Sequence, residues 1–332
     1  MSGSVAGGAG GGAIHLIVSG TLAVDGTLSA NGLNGSTAYA APAGGGSGGS
    51  IWIEAATLIG ATTGKIQANG GNGLPEHAGY SSGGSGGRIA INVTSNSFNG
   101  NGQVQSYGGG GLARGGAGTI YWAPEKRLVI DNNGNNGQAA GLVEGNYDTS
   151  TLSQIQLTRY GHLKVLGAAS SLALENGMVG GDGTAVLENY GAVTTPTNFT
   201  VSGYIFSPQM AFPAITNLIV ESNGTVRLYA GLGQPQGTFT FDNVSVGENS
   251  TLVLASWNDS DSDYSDDYGV VLTVNQDLSI LSTGKITADG TGYRGGQGFG
   301  AGAAGGGSIG ASGGGYGGYG GSGQSGQAGG SP

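Results

Sequence analysis

Five aspartates crowd into the run Asn258-Asp259-Ser260-Asp261-Ser262-Asp263-Tyr264-Ser265-Asp266-Asp267. Asp259, Asp261 and Asp263 keep the alternate spacing at which loop oxygens converge on one hard cation such as calcium. The rest of that loop pattern is absent, because Tyr264 stands where the sharp turn wants glycine and Val270 takes the place of the bidentate glutamate. Two readings stand: a calcium ion held with help from Asp266 or Asp267 would relieve the repulsion among these carboxylates, and so would the water around a protruding acidic loop. Calcium is the one cofactor the sequence raises.

Acid–base chemistry on a sugar would need two carboxylates about 5 to 9.5 Å apart. Asp182, in Gly180-Gly181-Asp182-Gly183, and His162, in Tyr160-Gly161-His162-Leu163-Lys164, faintly resemble polygalacturonase motifs. Both lack the paired aspartates, the Gly-His-Gly context and the basic partners, and Gly-Asp-Gly also reads as a plain turn. The expectation is therefore a chain that is not an enzyme. His15, His77 and His162 sit in unrelated contexts, His15 on an alternating strand from which it should point outward.

Composition narrows the remaining classes. The 332 residues hold 75 glycines, no cysteine and a net charge of −10. Thiol chemistry, disulfides and zinc-cysteine sites are thereby excluded, and the few dispersed basic residues argue against nucleic acid and anionic membranes as partners. No apolar run approaches the roughly 18 residues of a membrane span, so membrane insertion is not expected.

Binding chemistry concentrates in the glycine-rich tail. Gly314, Gly317, Gly320, Gly323, Gly326 and Gly329 recur at every third residue. A period of three matches a polyproline II backbone, built here from glycine, whose bare edge lets neighbouring strands bond laterally through amides that proline lacks. A flexible linker is the alternative. Tyr293, Phe299, Tyr316 and Tyr319 punctuate this tail; they could grip glycans or a neighbouring subunit, or plug gaps over the glycines.

The elements that must position these groups are repeats. Thr63-Gly64-Lys65-Ile66-Gln67-Ala68-Asn69-Gly70 returns as Thr283-Gly284-Lys285-Ile286-Thr287-Ala288-Asp289-Gly290, with a shorter relative at Gly26-Thr27-Leu28-Ser29-Ala30-Asn31-Gly32. Strand starts follow Gly-Gly pairs at Ile14-His15-Leu16, Ile51-Trp52-Ile53, Ile89-Ala90-Ile91 and Ile120-Tyr121-Trp122, the first three 37 and 38 residues apart. Further on, pairs of short alternating apolar runs begin eight residues apart, as in Ile155/Leu157 with Leu163/Val165 and Leu218/Val220 with Val226/Leu228. Such units bury little alone, so stacking must supply the core. The predicted fold is all-β, a parallel β-helix or solenoid with glycine-rich repeats and polyglycine II helices; antiparallel hairpins in a sandwich would give the same eight-residue offset. Three regions are expected: a glycine-rich β-repeat region over 1–122, a β-helical region over 123–290 and a polyglycine II tail over 291–332.

The units of residues 10–122 and 269–332 resemble the glycine-rich repeats of very large bacterial secreted and surface proteins. The triplet-glycine tail is similar to polyglycine II bundles of phage tail-fibre adhesins and of a glycine-rich arthropod antifreeze protein, without the cysteines of the latter. The resemblance implies an extracellular structural or adhesive role and carries over no catalytic residue. After Asp289-Gly290 the repeat calls for a strand of the kind at Gly11-Gly12-Ala13-Ile14-His15-Leu16, so Ile14 and Leu16 are expected to receive the far end of another copy or of a flanking repeat. A head-to-tail homopolymer of this sort becomes a filament when its rotation does not close. The rival readings are an adhesin tip that recognises surface glycans, a polysaccharide lyase or hydrolase, and, more distantly, an ice-binding face.

Overall fold

The computed structural model describes residues 6–36, 43–74, 81–98, 102–142, 152–166, 171–209, 214–230, 237–256 and 269–291. No α-helix occurs among them; they form twenty-five short strands. The glycine-rich first part carries β1 (Ala13–Ala23), β2 (Thr27–Ser29), β3 (Ser50–Ile59), β4 (Lys65–Gln67), β5 (Arg88–Asn96), β6 (Val104–Gln105), β7 (Thr119–Trp122) and β8 (Arg127–Asp131). There follow β9 (Ala140–Leu142), β10 (Gln154–Thr158), β11 (His162–Val165), β12 (Ser171–Ala173), β13 (Val179–Gly181), β14 (Val186–Asn189), β15 (Ala192–Thr194), β16 (Asn198–Ser202) and β17 (Ile205–Pro208). The last are β18 (Asn217–Glu221), β19 (Thr225–Tyr229), β20 (Thr238–Phe241), β21 (Asn243–Val246), β22 (Thr251–Ala255), β23 (Val271–Val274), β24 (Leu278–Ile280) and β25 (Lys285–Thr287).

Strands one repeat apart pair side by side. A first seven-stranded sheet runs β1-β3-β5-β7-β8-β10-β13, a second β25-β22-β19-β17-β14-β11-β9, a four-stranded sheet β16-β18-β21-β24 and a three-stranded sheet β2-β4-β6; β12-β15 and β20-β23 are separate pairs. All these pairings are parallel except β7 with β8. The eight-residue offset is therefore not a hairpin: β18 and β19, or β21 and β22, follow one another in the chain yet belong to different sheets. The chain turns a corner between them and meets its own earlier course, not its immediate predecessor.

Parallel register stacks like on like. Ile14, Ile51, Ile89 and Ile120 are Cα partners in series, and so are Leu16, Ile53, Ile91 and Trp122. Inside the stack these side chains lose water completely, Ile53 and Ile91 being 0% exposed, at about 1.5–3 kcal/mol each. The same holds for Leu218 over Val244 and Val220 over Val246, and for Val226 over Leu252. The buried residues fall into two clusters, one drawn from residues 24–122 and one from residues 117–252, while the first sheet runs without a break past residue 122.

The glycine runs form a second layer of order. Gly8 and Gly11 donate to the carbonyls of Gly44 and Ser47, Gly45 and Gly48 to Ser82 and Ser85, and Gly83 and Gly86 to Ala113 and Gly116. One residue further along, Gly46 and Gly49 donate to Leu33 and Ala30, and Gly84 and Gly87 to Gly71 and Ala68. Each run thus points amides at two neighbours in turn, repeating every third residue. Their N···O distances are 2.7–2.9 Å, as short as those of a sheet. A Cβ on Gly84 would collide with the carbonyl of Gly46, so absence of a side chain is what allows the approach.

Asparagines tie the corners to the repeat. Asn31 Oδ1 accepts the Asn69 amide at 2.7 Å and Asn69 Oδ1 accepts the Tyr107 amide at 2.8 Å; Asn34, Asn72 and the Gly110 amide repeat the arrangement at 2.8 and 2.7 Å. A side-chain ladder also runs through Asn198, Asn217 and Asn243. These groups satisfy amides that the irregular corners would otherwise leave unpaired.

Candidate functional site

The densest polar constellation among the described residues sits at the corner between β10 and β11. Arg159 and Tyr160 hold positive φ values of 48° and 61° ahead of Gly161, the same turn that Ser222 and Asn223 make ahead of Gly224 with 52° and 64°. Serine and asparagine tolerate this region; arginine and tyrosine adopt it at a cost. What offsets the cost is the Arg159 side chain. Its Nε donates to Asp131 Oδ1 at 2.9 Å, Nη1 to Asn133 Oδ1 at 2.9 Å, and Nη2 to Tyr107 OH at 3.0 Å and to Asp131 Oδ2. Its backbone amide donates to Asp182 Oδ2 at 2.7 Å.

This corner walls a groove of about 420 Å³ lined by Phe98, Trp122, Arg127, Asp131, Gln156, Arg159 and Asp182, among others. Its charges are mutually committed. The Asp131 hydrogen bond raises the Arg159 pKa despite partial burial, so the guanidinium is a permanent cation with four of its five donors spent. Burial would raise the Asp182 carboxyl, but the Thr184 hydroxyl, the Arg159 amide and the Thr184 amide outweigh it and hold the group below the ordinary carboxylate value. A carboxylate so stabilised is a poor general acid. Burial, reinforced by the Asp131 charge, pushes the Tyr107 phenol upward against the pull of Arg159.

His162 belongs to another cluster, on the outward side of the second seven-stranded sheet. Its Nε2 lies 2.9 Å from Glu188 Oε2, which Lys164 Nζ approaches at 3.5 Å, while the Tyr190 hydroxyl donates to Glu188 Oε1 at 2.8 Å. Desolvation lowers the His162 pKa below 6.5, more than Glu188 restores it, with Lys164 and Arg227 adding to the fall. Among the described residues His162 and Asp182 share no hydrogen-bonding partner, so the two faint hydrolase motifs lie in separate side-chain clusters.

Ile14 and Leu16 lie on β1, the free edge of the first sheet, where they are half-buried although their partners Ile51 and Ile53 are 1% and 0% exposed. The other end mirrors this: on the edge strand β24, Leu278 and Ile280 are each 49% exposed, whereas Val244 and Val246 beneath them are 1% and 0%. Leu281 adds a further 48% exposed side chain. His15 points outward as expected, and Lys65 and Lys285 are both exposed.

The aspartates Asp259, Asp261, Asp263, Asp266 and Asp267 lie outside the described residues, as do Tyr293, Phe299, Tyr316, Tyr319 and the tail glycines from Gly314 to Gly329. Among the described residues no group of three or more His, Asp or Glu is placed to hold a metal ion. Sequence reasoning missed Arg159 and Asp131; bulky Arg159-Tyr160 where a sister turn carries Ser-Asn was the available signal. Compared with family models, curated proteins and solved structures, the chain has no significant match.

Proposed function

We propose that the chain is a parallel β-solenoid flanked by polyglycine II bundles, and that it acts outside the cell as a structural, adhesive protein. Its partner is a further rung of the same kind, from a second copy or a flanking repeat of a longer chain. The observation that carries this reading is the pair of open faces. Positions that are sealed one rung inward stand about half exposed at Leu278 and Ile280, and among the described residues strands β1, β2, β24 and β25 each have a neighbouring strand on one side only. Open parallel edges with exposed apolar rows template the addition of another strand.

The repeat dictates the register of docking. Ile286 matches Ile66 in the repeated phrase, and Ile66 is the partner of Leu28 within the chain. Leu58 stands eight residues before Ile66 as Leu278 does before Ile286, and Leu58 is the partner of Leu22. An incoming copy would therefore lay Leu28 over Ile286 and Leu22 over Leu278. A non-catalytic role accords with the Arg159 corner, whose carboxylates are engaged in holding the turn. Extracellular placement rests on the likeness of the repeats to those of secreted surface proteins.

Sedimentation velocity and negative-stain electron microscopy over a concentration series test the reading. Expected are end-to-end oligomers or unbranched filaments with an axial repeat near one subunit length, lost in a Leu278→Asp/Ile280→Asp variant whose circular dichroism is unchanged. A wild-type chain that stays monomeric at the highest concentration contradicts it.

A further inference from the structure

One face of the first sheet, exposed at His15 and Trp52 and covered at its far end, where Tyr121 packs partly buried against the second core cluster, carries a row of rings with one rung missing. His15, Trp52, Ala90 and Tyr121 are Cα partners across β1, β3, β5 and β7. The His15 and Trp52 rings stack with centroids 4.1 Å apart and planes 6° from parallel, so ring normals run along the direction in which strands succeed one another. His15 Nε2 is held at 2.8 Å from Glu54 Oε1, which fixes that end of the stack. On its other side Trp52 faces not a third ring but the methyl group of Ala90, and Trp52 remains 48% exposed. The gap between Trp52 and Tyr121 belongs to a cavity of about 440 Å³.

The gap has the width of one puckered ring. Two strand spacings separate Trp52 from Tyr121, about 9.6 Å. A guest in contact with both rings needs about 7–8 Å, and the remainder suits the pucker of a pyranose chair better than a planar aromatic. Beside the ring row runs a polar row, Ser50, Arg88 and Thr119, again Cα partners in series. Arg88 is exposed, and among the described residues no carboxylate pairs with its guanidinium. In a chain with net charge −10, an unpaired guanidinium beside an aromatic slot selects an anionic guest.

We propose that the slot over Ala90, between Trp52 and Tyr121, binds a carboxylated sugar residue of an acidic polysaccharide. The C–H face of the ring stacks on Trp52, its carboxylate takes both forks of Arg88, and a hydroxyl group meets Ser50, while Thr119, 9% exposed, forms part of the inner wall. The slot lies on the side of the stack and needs no end-to-end docking, so its failure and the failure of assembly are separately readable.

The test is intrinsic tryptophan fluorescence titrated with an oligogalacturonate, a neutral dextran and a dextran sulfate. Trp52 is half exposed and Trp122 is 7% exposed, and the third tryptophan, Trp257, lies outside the described residues, so the titration is run in a Trp257→Phe background, where a guest in the slot reports through Trp52. Expected is saturable quenching by the uronate, on the order of tenfold tighter than by neutral dextran, that ratio being the value of one charge-assisted contact. Arg88→Gln should abolish the preference. Ala90→Phe, which supplies the missing rung, should weaken the uronate at least about tenfold. Arg88→Gln, at an exposed position, keeps the test decisive if Ala90→Phe disturbs its strand. Absence of saturable quenching, or unchanged uronate binding in both variants, overturns the proposal. Preference for dextran sulfate over the uronate overturns the carboxylate, and displacement of the uronate by an acidic tryptophan-bearing peptide at lower concentration overturns the saccharide.

Discussion

Replacing one glycine by alanine separates the two roles glycine can play in this chain. At Gly84 the backbone φ is negative, so alanine is conformationally permitted and the stiffer unfolded chain alone would add about 0.4–1 kcal/mol of stability. Packing opposes it. The new methyl group would overlap the Gly46 carbonyl, in a run where the Gly84 amide donates to Gly71 at 2.9 Å and its carbonyl accepts from Gly109 at 2.8 Å. Moving the run aside costs about 1–3 kcal/mol in strain, and orphaning a buried amide costs a similar amount. Net destabilisation by Gly84→Ala should therefore be about 2–4 kcal/mol. Gly12→Ala is the control: it also has negative φ, and a methyl group there would meet nothing within 4 Å, so it should be neutral or slightly stabilising. Urea unfolding followed by circular dichroism, with midpoint and slope both fitted, reads the difference. If the two variants agree within about 0.5 kcal/mol, the glycine runs do not pack as described.

Three further expectations follow from the corners, the His162 cluster and the ends. Asn69→Ala strips the acceptor from the Tyr107 amide and should cost about 1–3 kcal/mol in the same urea assay, whereas Asn34→Ala, on an exposed corner where water can replace the lost oxygen, should cost less than 1 kcal/mol. The His162 ring should titrate by NMR with a midpoint below 6.5. Because its pKa is lower folded than unfolded, stability is full above the unfolded value and falls as pH drops through the folded one; His162→Gln should lose less stability than wild type between pH 7.5 and about 5. Leu278→Asp with Ile280→Asp should leave the fold intact while abolishing the end-to-end association proposed above, with sedimentation velocity as the readout, and association of this variant as strong as that of the wild type would rule out the register drawn above.

Much of the layering could be read from spacing alone, and the reason is physical. Parallel pairing of strands one repeat apart makes equivalent residues recur at the repeat length, so Ile14, Ile51 and Ile89 announced the first sheet at 37 and 38 residues. The alternating pairs Ile155/Leu157 and Leu163/Val165 likewise became β10 and β11, all four 0–1% exposed. The one antiparallel step among the described strands was not legible: Ile120 meets Val129 through a turn at Ala123–Lys126, whose positive φ of 48° at Lys126 is carried by a residue with no turn signature. The Arg159 corner was hidden for a related reason. Its partners Asp131, Asn133 and Tyr107 lie 26 to 52 residues away and converge only once the strand pairings between them are known. The Trp52 slot was invisible because it is defined by what Ala90 lacks.

Amide hydrogen exchange at Gly45, Gly48, Gly83 and Gly86 tests most directly the claim that glycine here is a packing residue bonded laterally between runs. The account predicts protection comparable to that of Ile53 and Ile91 in the neighbouring strands. Exchange at the rate of an unstructured peptide, with the strands still protected, would contradict it.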